Sequence, residues 1–309
     1  MKITIMDTTL RDGEQTSGVS LTDEEKLSIA KLLLDELKVD RIEVASALVS
    51  EGALEAVKKI MKWASAKGRL DRIEVLAFVD GKISIDWIKN AGAKVMNILS
   101  KGSYRHVTEQ LIKTPEEHVK DIKYSIKYAL KNNLKVNIYL EDWSNGMRNS
   151  RDYVIFLLDS LKNEKMGRFM LPDTLGILNP DETYEYCKMI KEKYPELKFD
   201  FHAHNDYDLG TANVYSAIKA GITGIHTTVN GLGERAGNVP LSSVIGVIKD
   251  HLKCDMNINE SKLSLVSKMV ESFSGIRIPP NKPLIGDSVF TQTCGVHADG
   301  DQKDQLYFN

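Results

Sequence analysis

Residues Lys2–Gln15 read KITIMDTTLRDGEQ. The first six, Lys2–Asp7, form a short β-branched run that reads as a strand. An open, doubly wound sheet usually carries a glycine-rich dinucleotide turn after its first strand, and TTLRDGEQ is nothing of the kind. Seven more short β-branched runs follow: DRIEVAS (Asp40–Ser46), RIEVLAF (Arg72–Phe78), AKVMNIL (Ala93–Leu99) and KVNIYLE (Lys135–Glu141), then GRFMLPD (Gly167–Asp173), KFDFHAH (Lys198–His204) and ITGIHTTV (Ile222–Val229). Helical patterns separate them. In TDEEKLSIAKLLLDELK, Leu27, Ile29, Ala30, Leu33 and Leu34 share a face, and Thr22 with Glu25 has the spacing of a capping box. TPEEHVKDIKYSIKYALKNN repeats the design, with Thr114 as N-cap and Pro115 at the first helical position. Eight strand–helix units predict an α/β fold, a closed parallel (β/α)8 or TIM barrel. The barrel is expected over residues 1–255. Residues 256–309 read as a C-terminal helix and the start of a linker or subdomain.

The 309 residues are 42% hydrophobic and 27% charged, the balance of a soluble globular protein, and the net charge of −2 gives no basic field for nucleic acid or an anionic membrane. No apolar run approaches a membrane span and the N-terminus lacks a signal-peptide profile. Three scattered cysteines, Cys187, Cys254 and Cys294, argue for reduced thiols and a cytoplasmic protein.

In a parallel barrel the reactive groups gather where strands run out. Strand one is expected to end at Arg11 and Asp12, strand four at Leu99 and Ser100, strand five at Tyr139 and Glu141, strand six at Asp173 and Thr174. Strand seven ends at His202 and His204, and strand eight opens into NGLGERAGN, Asn230–Asn238. His202 and His204 stand at i and i+2, so both imidazoles face one side of their strand. An isolated HxH is better explained by one core and one surface histidine. With Asp12 reaching across from strand one, the pair suits a divalent metal. Arg11 would set a guanidinium beside that metal, fit for a carboxylate or a developing oxyanion. Glu141 faces the same mouth, to hold the arginine, to move a proton, or to make a structural salt bridge. The loop after strand eight matches no mononucleotide fingerprint. Its glycines would let backbone N–H groups approach an anionic ligand, a plain tight loop being the alternative, and Asn238 offers a neutral oxygen to the metal.

DTTLRDGEQ, HAHND, NGLGERAGN and GVHADGD together resemble the metal-dependent barrel enzymes that include 2-isopropylmalate, homocitrate and citramalate synthases and hydroxymethylglutaryl-CoA lyase. VDRIEVAS, NIYLEDWSNG and LPDTLG are most similar to citramalate synthases and the isopropylmalate synthases near them. The resemblance covers essentially the whole chain and implies a Claisen condensation of acetyl-CoA with a small 2-oxo acid. It implies Asp12, His202 and His204 as ligands of Mn, Mg or Zn, with Asn238 completing or bordering the set. It further implies Arg11 as stabiliser of the charge on the carbonyl oxygen, Glu141 and His297 in the acid–base steps, and Thr174 on the substrate carboxylate. Asn230, Gly231, Gly233, Glu234 and Arg235 are expected near acetyl-CoA. Leu76, Phe78, Leu99 and Tyr139 are expected around the side chain of the 2-oxo acid. Many isopropylmalate synthases have a small residue where Tyr139 stands, so pyruvate and citramalate are expected before 2-oxoisovalerate and 2-isopropylmalate, with homocitrate next. The lyase branch carries a cysteine in the strand-eight loop, where this chain has Glu234 and Arg235, which argues against a lyase or aldolase. A homodimer is expected, GVHADGD helping to complete a neighbouring subunit's site. Relatives continue into helical and regulatory domains, which these 309 residues do not include.

Overall fold

The computed structural model describes residues 1–291. Eight parallel strands close into a barrel in chain order: β1 (Thr4–Asp7), β2 (Arg41–Ser46), β3 (Ile73–Phe78), β4 (Val95–Lys101), β5 (Lys135–Glu141), β6 (Phe169–Asp173), β7 (Phe199–Ala203) and β8 (Gly224–Thr227). Closure is made by β1 on β8, with Thr4 opposite Gly224 and Asp7 opposite Thr227. Around them lie α1 (Asp23–Lys31), α2 (Glu51–Ala66), α3 (Ile83–Asn90), α4 (Pro115–Lys131), α5 (Trp143–Asn149), α6 (Arg151–Leu161), α7 (Pro180–Lys193), α8 (Gly210–Lys219), α9 (Leu241–Gly246) and α10 (Leu263–Ser274). The capping boxes form as expected, Thr22 with Glu25 and Thr114 with Glu117, and Asn179 with Glu182 opens α7 in the same way. Each satisfies two orphan backbone donors at a helix start.

The main core lies between the outer face of the sheet and the apolar faces of the helices; Val266 and Val270 of α10 belong to it. The barrel interior is different. Near the mouth it holds a small apolar cluster of Met6, Leu76, Tyr139 and Met170, with Leu99 packed against it. Beside this cluster lies a charged layer. Arg41 bridges Glu74 at 2.8 Å and Asp200 at 2.5 Å, and Arg168 reaches Asp200 at 2.7 Å. Asn137 donates to Asn97 (2.9 Å) and to Glu74 (3.2 Å). Charges this far from water persist only when paired and hydrogen-bonded, and here they are.

Two strand ends differ from expectation. Strand one stops at Asp7, and Arg11 and Asp12 lie in a turn beyond it. The N–H groups of Arg11, Asp12 and Gly13 all donate to the Thr8 carbonyl, at 3.1, 2.8 and 3.1 Å, and the Asp7 carboxyl accepts from Thr9 N. With the backbone donors gathered inward, TTLRDG folds over the barrel mouth instead of extending the strand. Likewise β7 ends at Ala203, and His204 makes an isolated antiparallel bridge with Asn238.

Candidate active site

The strand periodicity of β7 carries His202 and His204 to one side, their ring centres 5.2 Å apart. The β1–α1 turn lays Asp12 against them. Its Oδ2 is 3.1 Å from His202 Nε2 and 3.8 Å from His204 Nε2. All three side chains are buried, and among the described residues they form the one cluster of His, Cys, Asp or Glu able to hold a metal ion. Burial alone would raise the Asp12 carboxyl, but Arg11 and the two imidazoles hold it well below the carboxylate range. Burial pushes His204 down to about 4, against the pull of Asp12, so at neutral pH it presents a bare nitrogen. Asp12 Oδ1 is buried without a partner. Asn238 donates its Nδ2 to Leu232 O at 3.1 Å, which leaves its buried Oδ1 unpartnered as well. An ionised carboxylate, two imidazoles and a free amide oxygen are the donor set of a divalent cation, so the residues fit one.

Arg11 reaches this cluster at 3.2 Å from Asp12. What holds it is Glu43 of β2, not Glu141. The Arg11 Nε donates to Glu43 Oε2 at 2.6 Å, and its NH2 points to the Tyr139 hydroxyl at 3.4 Å. Glu43 is fully buried and takes a second bond from Asn97 at 2.6 Å. Glu141 is paired instead with Lys101, because the parallel register of β4 and β5 sets those two residues side by side. Of the three roles open to Glu141, the salt bridge is the one observed and anchoring the arginine is not, while its place on the cavity wall is unchanged.

A cavity of about 200 Å3 opens at the mouth. Its polar side carries Arg11, Asp12, His202, His204, Glu141 and Thr174, and its apolar side Leu76, Phe78, Leu99 and Tyr139, so these expected residues meet in one place. Phe78 sits at the rim, more than a third exposed, while Tyr139 is buried. The Thr174 hydroxyl accepts from Asp142 N at 2.9 Å. Of the strand-eight loop, Glu234 borders the cavity. Arg235 is clamped to Asp206 (2.8 and 3.0 Å) and to Thr174 O (2.7 Å), and Asn230 donates to Ser267 O of α10. Gly233 and Gly237 both have positive φ, and a Cβ would run into the Asn238 amide at the first and the Gly231 carbonyl at the second. Gly231 likewise has positive φ and lies against Asn238 O. The glycines shape the turn that presents Asn238. His297 lies outside the described residues, as do Cys294 and GVHADGD.

Sequence reasoning missed Glu43, Lys101 and the interior residues Asp200 and His226. Glu43 had a faint signal, a carboxylate inside a β-branched run.

The model of the family described as HMGL-like matches residues 2–270. The chain belongs to this family. It is 38% identical to the (R)-citramalate synthase of Methanocaldococcus jannaschii over 97% of its own length and 59% of that protein's. It is 36% identical to the 2-isopropylmalate synthase of Pyrococcus furiosus (99% and 62%) and 37% identical to the homocitrate synthase of Saccharolobus islandicus (97% and 64%). The chain thus spans about three-fifths of the curated relatives it matches. The solved hydroxymethylglutaryl-CoA lyase of Bacillus subtilis superposes with a TM-score of 0.75 at 21% identity, covering 90% of this chain and 95% of the lyase. That likeness is one of fold. Among the described residues no helix is long and apolar enough to cross a membrane.

Proposed function

We propose that this protein condenses acetyl-CoA with a small 2-oxo acid in a metal-dependent reaction, pyruvate giving citramalate. The observation that carries the reading is the Asp12–His202–His204 cluster with Arg11 beside it, opening on a cavity walled by Tyr139, Leu76 and Leu99. A divalent cation held by these three side chains, with Asn238 bordering, would supply Lewis acidity toward a carbonyl and a carboxylate. The rest is done by the chain. Arg11, fixed by Glu43, offers its guanidinium to the negative charge that develops on the keto oxygen. Thr174 at the rim receives the substrate carboxylate, and Glu141, held by Lys101, is placed to move a proton. His297 is assigned to the second acid–base role. The Tyr139 ring on the apolar wall favours pyruvate over 2-oxoisovalerate, although one methylene is worth only about 1–3 kcal/mol in such a pocket.

A second cleft of about 410 Å3, between the β1–α1 turn and the start of α2, shares Arg11, Gln15 and Ser46 with the first and gives a longer co-substrate room to lie. The strand-eight loop remains the other candidate for the coenzyme, through Glu234. A cytoplasmic homodimer goes with this reading, and light scattering tests the dimer. The reaction is tested by release of coenzyme A from acetyl-CoA across a panel of 2-oxo acids, with the product identified by mass. Release with pyruvate that chelator abolishes is expected. Release with 2-oxoisovalerate in preference would make the product 2-isopropylmalate, and no release with any 2-oxo acid would overturn the reaction.

A further inference from the structure

The Tyr139 ring forms the inner wall of the cavity, and its hydroxyl is tied down from behind. It lies 3.2 Å from Glu43 Oε2, 3.2 Å from His226 Nδ1 and 3.4 Å from Arg11 NH2. His226, on β8, is fully buried, does not line the cavity and has no part in the cluster of Asp12 and the two histidines. Its other nitrogen, Nε2, is 3.3 Å from Asp200 Oδ2, and Asp200 is itself locked between Arg41 and Arg168. The Tyr139 and His226 rings meet edge to face with centres 5.5 Å apart. A barrel mouth needs no histidine–aspartate pair behind a tyrosine for packing; an aliphatic side chain would fill the space without the cost of burying polar atoms.

We propose that His226, oriented by Asp200, is a positioning residue that sets which 2-oxo acid is accepted, by holding the Tyr139 ring against the cavity. The inference rests on the reaction proposed above. Glu43 and Arg11 also touch the hydroxyl, but both have other partners in the site; His226 spends its inward nitrogen on Tyr139, while its ring meets the His202 ring edge to face with centres 5.4 Å apart. Without the bond to His226, the ring is held less firmly against the cavity, and a larger substrate side chain can displace it.

The test compares the wild type with His226→Leu, Tyr139→Phe and the double variant, all loaded with Mn2+. Two quantities are read: the ratio of dissociation constants for pyruvate and 2-oxoisovalerate by calorimetry, and the ratio of kcat/KM for the same pair. The expected result is a preference for pyruvate in the wild type that falls about tenfold in either single variant. The double variant should match Tyr139→Phe, because the hydroxyl that His226 holds is already gone there. Tyr139→Phe keeps the ring and the packing, so it reports on the hydroxyl even if His226→Leu folds poorly. Unchanged ratios in either single variant, or losses that add in the double variant, would overturn the role of His226. A wild type that binds the two acids with the expected ratio but turns over neither would overturn the reaction and leave the binding ratios to judge His226.

Discussion

The tetrapeptide RIEV occurs twice, as Arg41–Val44 in β2 and as Arg72–Val75 at the start of β3, and the two copies do different work. Glu43 and Glu74 are register partners, so two buried carboxylates lie side by side inside the barrel. Glu43 takes Arg11 from the β1–α1 turn and so serves the mouth; Glu74 takes Arg41 and so serves the interior. Arg41 points into the barrel, whereas Arg72 lies before β3 begins and donates to the backbone carbonyls of Asp40 and Val39. Identical local sequence therefore sets the strand and the face. The cation arriving from elsewhere in the chain sets the role.

The sharpest way to break this comparison is to neutralise each carboxylate in turn. Glu43→Gln should lower kcat about 100- to 1,000-fold, the scale of losing one fixed donor to a developing oxyanion, since Arg11 would no longer be aimed. It should also destabilise the fold by about 3–5 kcal/mol, because Arg11 is left buried without its closest partner. Glu74→Gln should destabilise less, about 1–3 kcal/mol, since Arg41 keeps Asp200 at 2.5 Å, and should leave kcat within a few-fold. Steady-state kinetics and urea unfolding on both variants measure this. Equal losses of activity would erase the distinction.

A third buried carboxylate extends the contrast. Asp7 of β1 is fully buried and has hydrogen bonds from Thr9 and Thr227 but no ion pair among the described residues. Burial pushes its carboxyl up from 3.8 to about 7, against those hydrogen bonds. The folded state then holds the proton more tightly than the unfolded chain, so stability falls as pH climbs from about 4 to about 7 and stays lower above that. Asp7→Asn should remove this slope, its melting temperature gaining on the wild type between pH 4 and 8. Parallel melting curves would deny Asp7 that role.

The barrel was legible because each strand is short and apolar, and helices such as α1 and α4 open on capping boxes. His202 and His204 were legible because a spacing of two on a strand fixes their common side. Asp12 could be paired with them only once eight strands implied closure. Glu43, Asp200 and His226 were not legible: in a half-exposed strand a polar residue reads as facing water, and only closure turns it inward. The partner of Glu141 was left open because register, which seats Lys101 beside it, is not written in either strand alone. The turn at Arg11 and Asp12 was hidden by the Thr8 carbonyl, which gathers three N–H groups that a strand would have spread out.

The central claim is that Asp12, His202 and His204 hold a divalent cation on which the chemistry at the mouth depends. Bound metal and pyruvate-dependent release of coenzyme A should be measured on the same preparations of wild type and His202→Ala, with circular dichroism to show that both are folded. The account predicts a stoichiometric divalent cation and release in the wild type, and neither in the variant. A folded His202→Ala that releases coenzyme A at the wild-type rate, with or without metal, would contradict it.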